Sequence, residues 1–315
     1  MKIGVIGAGA MGSLYGGKLA AAGAEVVLYD ISRPHVEAVN ASGLVIAELP
    51  DGKENVVRLK ATVVPGDLAD ADLLLVFVKS NATAAAARQF AGLAKPGAIA
   101  VTLQNGLGNE QLLREAFGAE RTAAGVTSQG ATFLGPGRVR HAGVGPTHLC
   151  MSDKANEKLG PLAEALQRAG FETHLENSID SLVWSKLVIN VGINALTALT
   201  GLPNGRLLDF PQLRALMADL VAEAVNVART RGVALTYAEP LAMVYTVAEK
   251  TGRNRSSMLQ DFDHRRPSEI EFMNGAIVRE AESLGIEVPV NRTITRLVQA
   301  LDALHAEESA QKAQA

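Results

Sequence analysis

The sequence predicts an α/β domain on a doubly wound, mostly parallel sheet, followed by an all-α domain. Three observations carry this reading. Short apolar runs alternate with Ala-rich helical segments from Lys2 to about Thr173, a glycine-rich turn joins the first run to the first helix, and beyond Asn177 the pattern is helical throughout. The 315 residues suffice for two domains with a core each, and the boundary is placed between residues 176 and 177.

Ile3–Ile6, Glu25–Tyr29, Asp72–Val78 and Ala98–Leu103 are short, β-branched or leucine-rich runs and read as buried strands. Ala10–Ala22 and Asn81–Leu93 read as crossover helices. Gly130, Gly135, Gly137, Gly143 and Gly145 sit among alternating apolar residues across Gly125–Met151, so antiparallel strands closing the sheet are expected there. Asn177 or Ser178 suits the N-cap of an apolar helix over Leu182–Thr200, which ends at Gly201 and Pro203. Pro211–Arg231, Tyr237–Thr251, Pro267–Leu284 and Asn291–His305 follow with helical periodicity. Pro211 and Pro267 open their segments, where a missing N–H does no harm, and Ser268 reads as a helix-start cue. The polar tail from Ala306 is expected to fray.

With 30 Lys+Arg against 33 Asp+Glu, the net charge is −3, and no basic block supplies the field that a phosphate backbone requires. Nucleic acid is therefore not expected as a partner. A leader is not expected either: the glycines from Gly4 to Gly17 interrupt the N-terminal apolar run, and no unbroken apolar stretch approaches the ~20 residues of a membrane span. The single cysteine, Cys150, cannot form an intrachain disulfide, which fits a reducing cytoplasm.

Gly7, Gly9 and Gly12 form GxGxxG between the first strand and the first helix. There, glycines permit a tight turn and close approach of a pyrophosphate to the backbone of Gly7–Gly12, Ala10 and Met11 included, at a helix N-terminus. A second strand then ends in Asp30, 18 residues beyond Gly12, near the ~20 expected for an acid that reads a ribose 2′-hydroxyl. This marks a Rossmann domain and favours NADH over NADPH, although Arg33 and His35 follow closely enough to turn toward a 2′-phosphate. Lys79 and Ser80 follow the third run, and Gln104, Asn105 and Gly106 the fourth. Ligands bind beyond the carboxyl ends of such strands, so both sets should face the cofactor crevice. Lys79 can serve a substrate carboxylate or a cofactor phosphate, and Asn105 can hold the nicotinamide side; ordinary loop roles fit both residues equally well.

Trp184–Leu196 is apolar nearly all round, which marks a buried helix. Yet Lys186, Asn190 and Asn194 recur every fourth residue. They drift only about 40° per step, forming one polar stripe roughly 12 Å long. A structural network would satisfy these groups; a pocket wall facing a polar ligand does so more economically. Desolvation lowers a lysine's pKa and makes it a proton donor to a carbonyl oxygen, while neutral amides can hold that oxygen and substrate hydroxyls. A third polar cluster spans Asn254–Asp261 and Ser268–Gly275, and by itself indicates only helix-dipole complementation. No metal-ligand set is expected.

Taken together, VKS at Val78–Ser80, QNG at Gln104–Gly106, WSKLVIN at Trp184–Asn190, NRSSMLQD at Asn254–Asp261 and EIEFMNG at Glu269–Gly275 resemble the ketopantoate reductase (2-dehydropantoate 2-reductase) family, over essentially the whole chain. The resemblance implies a Rossmann domain (1–176) and a helical substrate and catalytic domain (177–315), with the site in the cleft between them. It implies reduction of 2-dehydropantoate to (R)-pantoate by NAD(P)H, a step in making pantothenate. Lys186 matches the lysine that protonates the carbonyl oxygen, and Glu269 the acid on the substrate-hydroxyl side. Asn190 and Asn194 match substrate-holding asparagines, Ser257 the serine contacting the substrate carboxylate, and Asn105 the asparagine bridging cofactor and substrate. NADPH-using members carry an arginine just after the second strand, where this chain reads Tyr29-Asp30-Ile31. Some relatives reduce other branched 2-oxo acids to D-2-hydroxy acids with NADH, which leaves that activity as the first rival. A non-catalytic dinucleotide sensor is the second. The expected partner is a small 2-oxo acid, with neither nucleic acid nor membrane, and a homodimer stays open.

Overall fold

The computed structural model describes residues 1–314. They form two compact units, one of Met1–Gln104 with Asn109–Ile179, the other of Asn105–Gly108 with the chain from Asp180 onward. The units part after Ile179 rather than at residue 176, and a four-residue loop that precedes this point in the chain belongs to the second unit.

In the first unit the elements are β1 (Lys2–Ile6), α1 (Ala10–Ala21), β2 (Glu25–Tyr29), α2 (Arg33–Ser42), β3 (Leu44–Ala47), β4 (Glu54–Val57), β5 (Lys60–Thr62), β6 (Leu73–Val76), α3 (Thr83–Ala91), β7 (Ile99–Thr102), α4 (Asn109–Phe117), β8 (Thr122–Thr127), β9 (Gly130–Gly135), β10 (Arg138–Gly143), β11 (Thr147–Met151), α5 (Gly160–Arg168) and β12 (Thr173–Leu175). Six strands lie parallel in the order β5-β2-β1-β6-β7-β8, with β11 antiparallel to β8 and β12 parallel to β11. The winding reverses between β1 and β6, so their carboxyl ends flank the topological switch point, where α/β sheets bind ligands. Helices cover both faces, which is why β6 (Leu73, Leu74, Leu75, Val76) is buried at every position rather than at alternate ones.

The stretch Gly125–Met151 does not close the main sheet as one antiparallel block. Strand β8 is the last parallel strand and β11 returns beside it, but the β9–β10 hairpin joins β3 and β4 in a separate sheet of order β4-β3-β10-β9. Val139, Ala131 and Phe133 of the hairpin join the core formed by Leu44, Ile46 and α1, so burial is gained against α1 rather than at the sheet edge. Elements α2, β3, β4, β5, α4, α5 and β12 are absent from the sequence reading because they are short, the strands three or four residues and the helices nine or ten.

The second unit contains α6 (Asp180–Thr200), α7 (Pro211–Thr230), α8 (Pro240–Lys250), α9 (Ser257–Asp263), α10 (Asn274–Leu284) and α11 (Pro289–Gln314). Helix α6, with a mean hydropathy of 1.5, is long and apolar enough by length and composition to cross a membrane, although Lys186, Asn190 and Asn194 interrupt its apolar run. However, 67% of that apolar window is buried against neighbouring chain, the arrangement of a core helix. The expected helix over Pro267–Leu284 is instead a short 3-10 turn, Ile270–Phe272, followed by α10. Ser268 does not start a helix: its N–H and hydroxyl donate to Asp302, its Oγ accepts the Ile270 N–H of the 3-10 turn at 3.4 Å, and α10 begins only at Asn274. The capping serine is Ser256, whose Oγ accepts from the Leu259 N–H at 3.1 Å at the start of the unforeseen α9. Beyond Ala306 the chain stays helical to Gln314, since Ala, Glu, Gln and Lys are strong helix formers; Ala315 lies outside the described residues.

A buried amide network ties α11 to α7, α10 and α6. Asn291 Nδ2 donates to the Leu220 carbonyl and to Glu223, Asn291 Oδ1 accepts from Asn274 Nδ2, and Asn274 Nδ2 also donates to the Val191 carbonyl. Both asparagines are fully buried. Asn291→Ala would remove three buried side-chain hydrogen bonds and leave a void among fully buried groups, so it is expected to cost about 2–4 kcal/mol of stability. Denaturant unfolding of the full chain checks this value.

Candidate active site

Three residues separate β1 from α1. Gly7 takes φ +91°, where a Cβ would stand 2.7 Å from the Val78 nitrogen, and a Cβ on Gly12 would stand 2.0 Å from the Gly7 carbonyl oxygen. Backbone therefore excludes side chains at both positions. Gly9 differs: it is exposed, and a Cβ there would meet nothing within 4 Å. The fold does not require that glycine, so the open space above it is suited to an anion lying on the N-terminus of α1. Ala10 and Met11 open the helix and are half-buried, and the first-turn N–H groups of a helix have no intrahelical acceptor. These residues fit a pyrophosphate.

Asp30 follows β2, and its Oδ1 accepts the Ser32 N–H at 2.9 Å. Arg33 is exposed at the start of α2. His35 cannot turn toward a phosphate, contrary to expectation: it is 1% exposed and bonded to Gly137 and Ser13. Lys79 is half-buried after β6. Gln104 turns back into the unit, donating to the Val78 carbonyl at 2.6 Å and Thr83 Oγ1 at 2.7 Å, while Asn109 Nδ2 donates to Ser80 Oγ at 3.1 Å. Gln104 and Ser80, expected to face a ligand, instead brace the ends of β6 and β7.

The second unit holds Asn105, Lys186, Asn190, Asn194, Ser257 and Glu269. Helix α6 carries the lysine and two asparagines in one stripe; Lys186 and Asn190 are half-buried and Asn194 is buried. Burial pushes the Lys186 ammonium down to about 8, against the opposing pull of the Glu269 carboxylate. Glu269 is 7% exposed, placing a buried negative charge within reach of that ammonium. Asn194 Nδ2 rests 3.4 Å from Met273 Sδ, a weak acceptor readily exchanged for an oxygen. Thr197 donates to the Asn194 carbonyl, so the Ser256 hydroxyl 2.6 Å away is the donor in that pair, and this bond fixes the start of α9, with Ser257, beside the end of the stripe. Gly106 takes φ +88° with no room for a Cβ, because the Phe272 carbonyl oxygen would lie 2.3 Å from it; the same oxygen accepts the Leu107 N–H at 2.8 Å. The Asn105 loop thus docks on the turn that follows Glu269.

Models of the family described as ketopantoate reductase PanE/ApbA match residues 3–153, and its C-terminal part matches residues 178–302. The chain belongs to the ketopantoate reductase family. The 2-dehydropantoate 2-reductase of Halobacterium salinarum is 40% identical over 299 residues, covering 95% of this chain and 98% of that protein. The structure is similar to that of a ketopantoate reductase from Ralstonia eutropha, with TM-score 0.88, 36% identity and coverage of 97% and 100%. It is equally similar, at TM-score 0.88 with 28% identity and coverage of 97% and 100%, to a D-mandelate dehydrogenase in complex with NADH and anilino(oxo)acetate. Ketopantoate reductases are oxidoreductases acting on CH–OH groups.

Within this family member, sequence reasoning missed the groups that hold the candidate residues. Tyr237 donates to the Ser185 carbonyl at 2.7 Å and the Thr236 N–H donates to Ser185 Oγ at 2.8 Å, clamping the residue before Lys186. Burial raises the Tyr237 phenol well above its ordinary pKa, keeping it a donor. Helical periodicity carries no signal for such a contact, made across 52 positions of the chain.

The glycine geometry separates folding from ligand binding. Gly12→Ala is expected to destabilise the unliganded protein by about 1–3 kcal/mol through overpacking. Gly9→Ala is expected to leave its melting temperature nearly unchanged but weaken NADH and NADPH at least tenfold. Thermal unfolding and fluorescence titration of both variants check the contrast.

Proposed function

We propose that this chain reduces 2-dehydropantoate to (R)-pantoate with NAD(P)H, NADH being favoured, as a cytoplasmic enzyme. The observation that carries this reading is Lys186, a desolvated ammonium with a pKa near 8, next to buried Glu269 and in line with Asn190 and Asn194 on α6. On this reading the first unit is the dinucleotide-binding domain, using Gly7, Gly9, Ala10, Met11, Gly12, Asp30 and Lys79, and the second is the substrate domain. The dinucleotide, when bound, supplies the hydride that adds to the substrate carbonyl carbon. Lys186 donates a proton to the carbonyl oxygen as charge builds on it, which a lysine with a lowered pKa does more readily than an ordinary one. Glu269 stabilises the ammonium before transfer and accepts from the substrate hydroxyl. Asn190 and Asn194 hold the oxygen and hydroxyl, Ser257 the carboxylate, and Asn105 the nicotinamide side. The similarity to 2-dehydropantoate 2-reductases over nearly full length supports the substrate.

A second reading, a D-2-hydroxy-acid dehydrogenase for other branched 2-oxo acids, is favoured by Asp30 and by the likeness to an NADH-bound D-mandelate dehydrogenase. Steady-state oxidation of NADH and NADPH with 2-dehydropantoate and a panel of branched 2-oxo acids separates the two. Turnover of 2-dehydropantoate no faster than the panel would overturn the first reading.

Reduction requires protonated Lys186, so kcat/KM should be flat below pH about 8 and fall tenfold per unit above it. Lys186→Ala should lose about 10²- to 10⁴-fold in kcat with cofactor affinity retained. Asp30→Ala should narrow the preference for NADH over NADPH in kcat/KM; unchanged selectivity would remove Asp30 from that role.

A further inference from the structure

Beneath the glycine turn runs a buried chain of hydrogen bonds that the proposed chemistry leaves unused. The Gly137 N–H donates to His35 Nδ1 at 3.0 Å, His35 Nε2 lies 3.2 Å from Ser13 Oγ, and Ser13 Oγ lies 2.7 Å from the Ala8 carbonyl oxygen. Its direction is determined at both ends. A backbone amide only donates, so Nδ1 bears no proton, and a carbonyl only accepts, so the serine proton is committed to Ala8. Ser13 Oγ must therefore accept from Nε2–H. His35 is neutral and held in one tautomer, and burial keeps its pKa below the ordinary value against the opposing charge of Asp30. Ala8 and Ser13 are 0% exposed, so water cannot replace either bond.

The chain ends on the peptide that joins Ala8 to Gly9. A peptide is planar, so fixing the Ala8 carbonyl also fixes the Gly9 N–H on the opposite side. Gly9 has no side chain to resist rotation of that plane, and the space around its Cα is open. We propose that His35 is a positioning residue for the dinucleotide, acting through Ser13 to lock the Ala8–Gly9 peptide with its N–H presented to the pyrophosphate. The assignment rests on the turn being a dinucleotide site, and it makes the β9–β10 hairpin, which supplies Gly137, part of that site's support.

Fluorescence titration of the full chain with NADH and NADPH tests this, alongside thermal unfolding and steady-state kinetics. Ser13→Ala, which removes the bond to Ala8, and His35→Asn, which removes the donor that holds the Ser13 hydroxyl in place, are expected to raise the dinucleotide Kd about tenfold. The oxo-acid KM and the kcat at saturating cofactor should stay within about twofold. His35→Gln, whose amide can still donate to Ser13, should bind within about threefold of the unaltered chain. Phe117→Leu, a core change elsewhere in the unit, should lower the melting temperature without altering Kd. Unchanged Kd in Ser13→Ala and His35→Asn, or no rescue by His35→Gln, would overturn the positioning role. Failure of the unaltered chain to bind either dinucleotide would remove the site reading itself, and the positioning role with it.

Discussion

Desolvation of one ammonium group organises the second unit. Lysine in water is a poor acid for protonating a nascent alkoxide at neutral pH; moved into an apolar environment, it loses hydration that favours its charged form, and its proton becomes easier to give up. Helix α6 sinks its own Trp184, Leu187, Val188, Val191 and Ile193 into the core of the unit, and the Glu269 carboxylate offsets part of the burial penalty at Lys186. A stronger pairing would return the pKa toward 10.5; without a partner, the charged form would be hard to keep at neutral pH. The position near 8 is a balance between burial and one opposing charge.

Such a balance requires the groups to stay in place, and much of the surrounding polar chemistry is backbone support. Ser185 is clamped by Thr236 and Tyr237 below the lysine, while Asn274 reaches the Val191 carbonyl above it. Ser256 does the same for α9 through Thr197. Each support comes from an element remote in sequence, so the helix that carries Lys186 is held at the turns flanking it. In the first unit Gln104 and Asn109 play the equivalent part for the strand ends.

What the sequence shows well is periodic or steric in origin. The first two strands and α1 are legible because their apolar residues cluster and their glycines are demanded by backbone contacts at Gly7 and Gly12. The stripe on α6 is legible because polar residues on an apolar helix conflict with burial unless they serve a purpose. The second sheet is not legible in the sequence: β3 and β4 are four residues each, and β10, which pairs with β3, lies some ninety residues away, a pairing that no local pattern encodes. The inward turn of His35 and Gln104 is not legible for a related reason. A polar residue near a strand end looks ligand-facing in sequence, but whether it turns outward or inward depends on acceptors supplied by distant chain, here Ser13 with Gly137 and Val78 with Thr83.

On the function proposed above, cofactor choice would turn on the same consideration at Asp30. Its carboxylate already accepts one backbone N–H from Ser32, which aims the group while leaving most of its lone pairs for a ribose diol. A 2′-phosphate placed there would bring about two negative charges against a half-buried carboxylate, a repulsion that solvent and salt soften in part. Arg33, exposed three positions along the chain, offers compensating charge at the cost of ordering a long side chain. The two effects oppose each other at one surface site. The physical expectation is therefore a preference for NADH of modest size, rather than the exclusion of NADPH that a buried acid would impose.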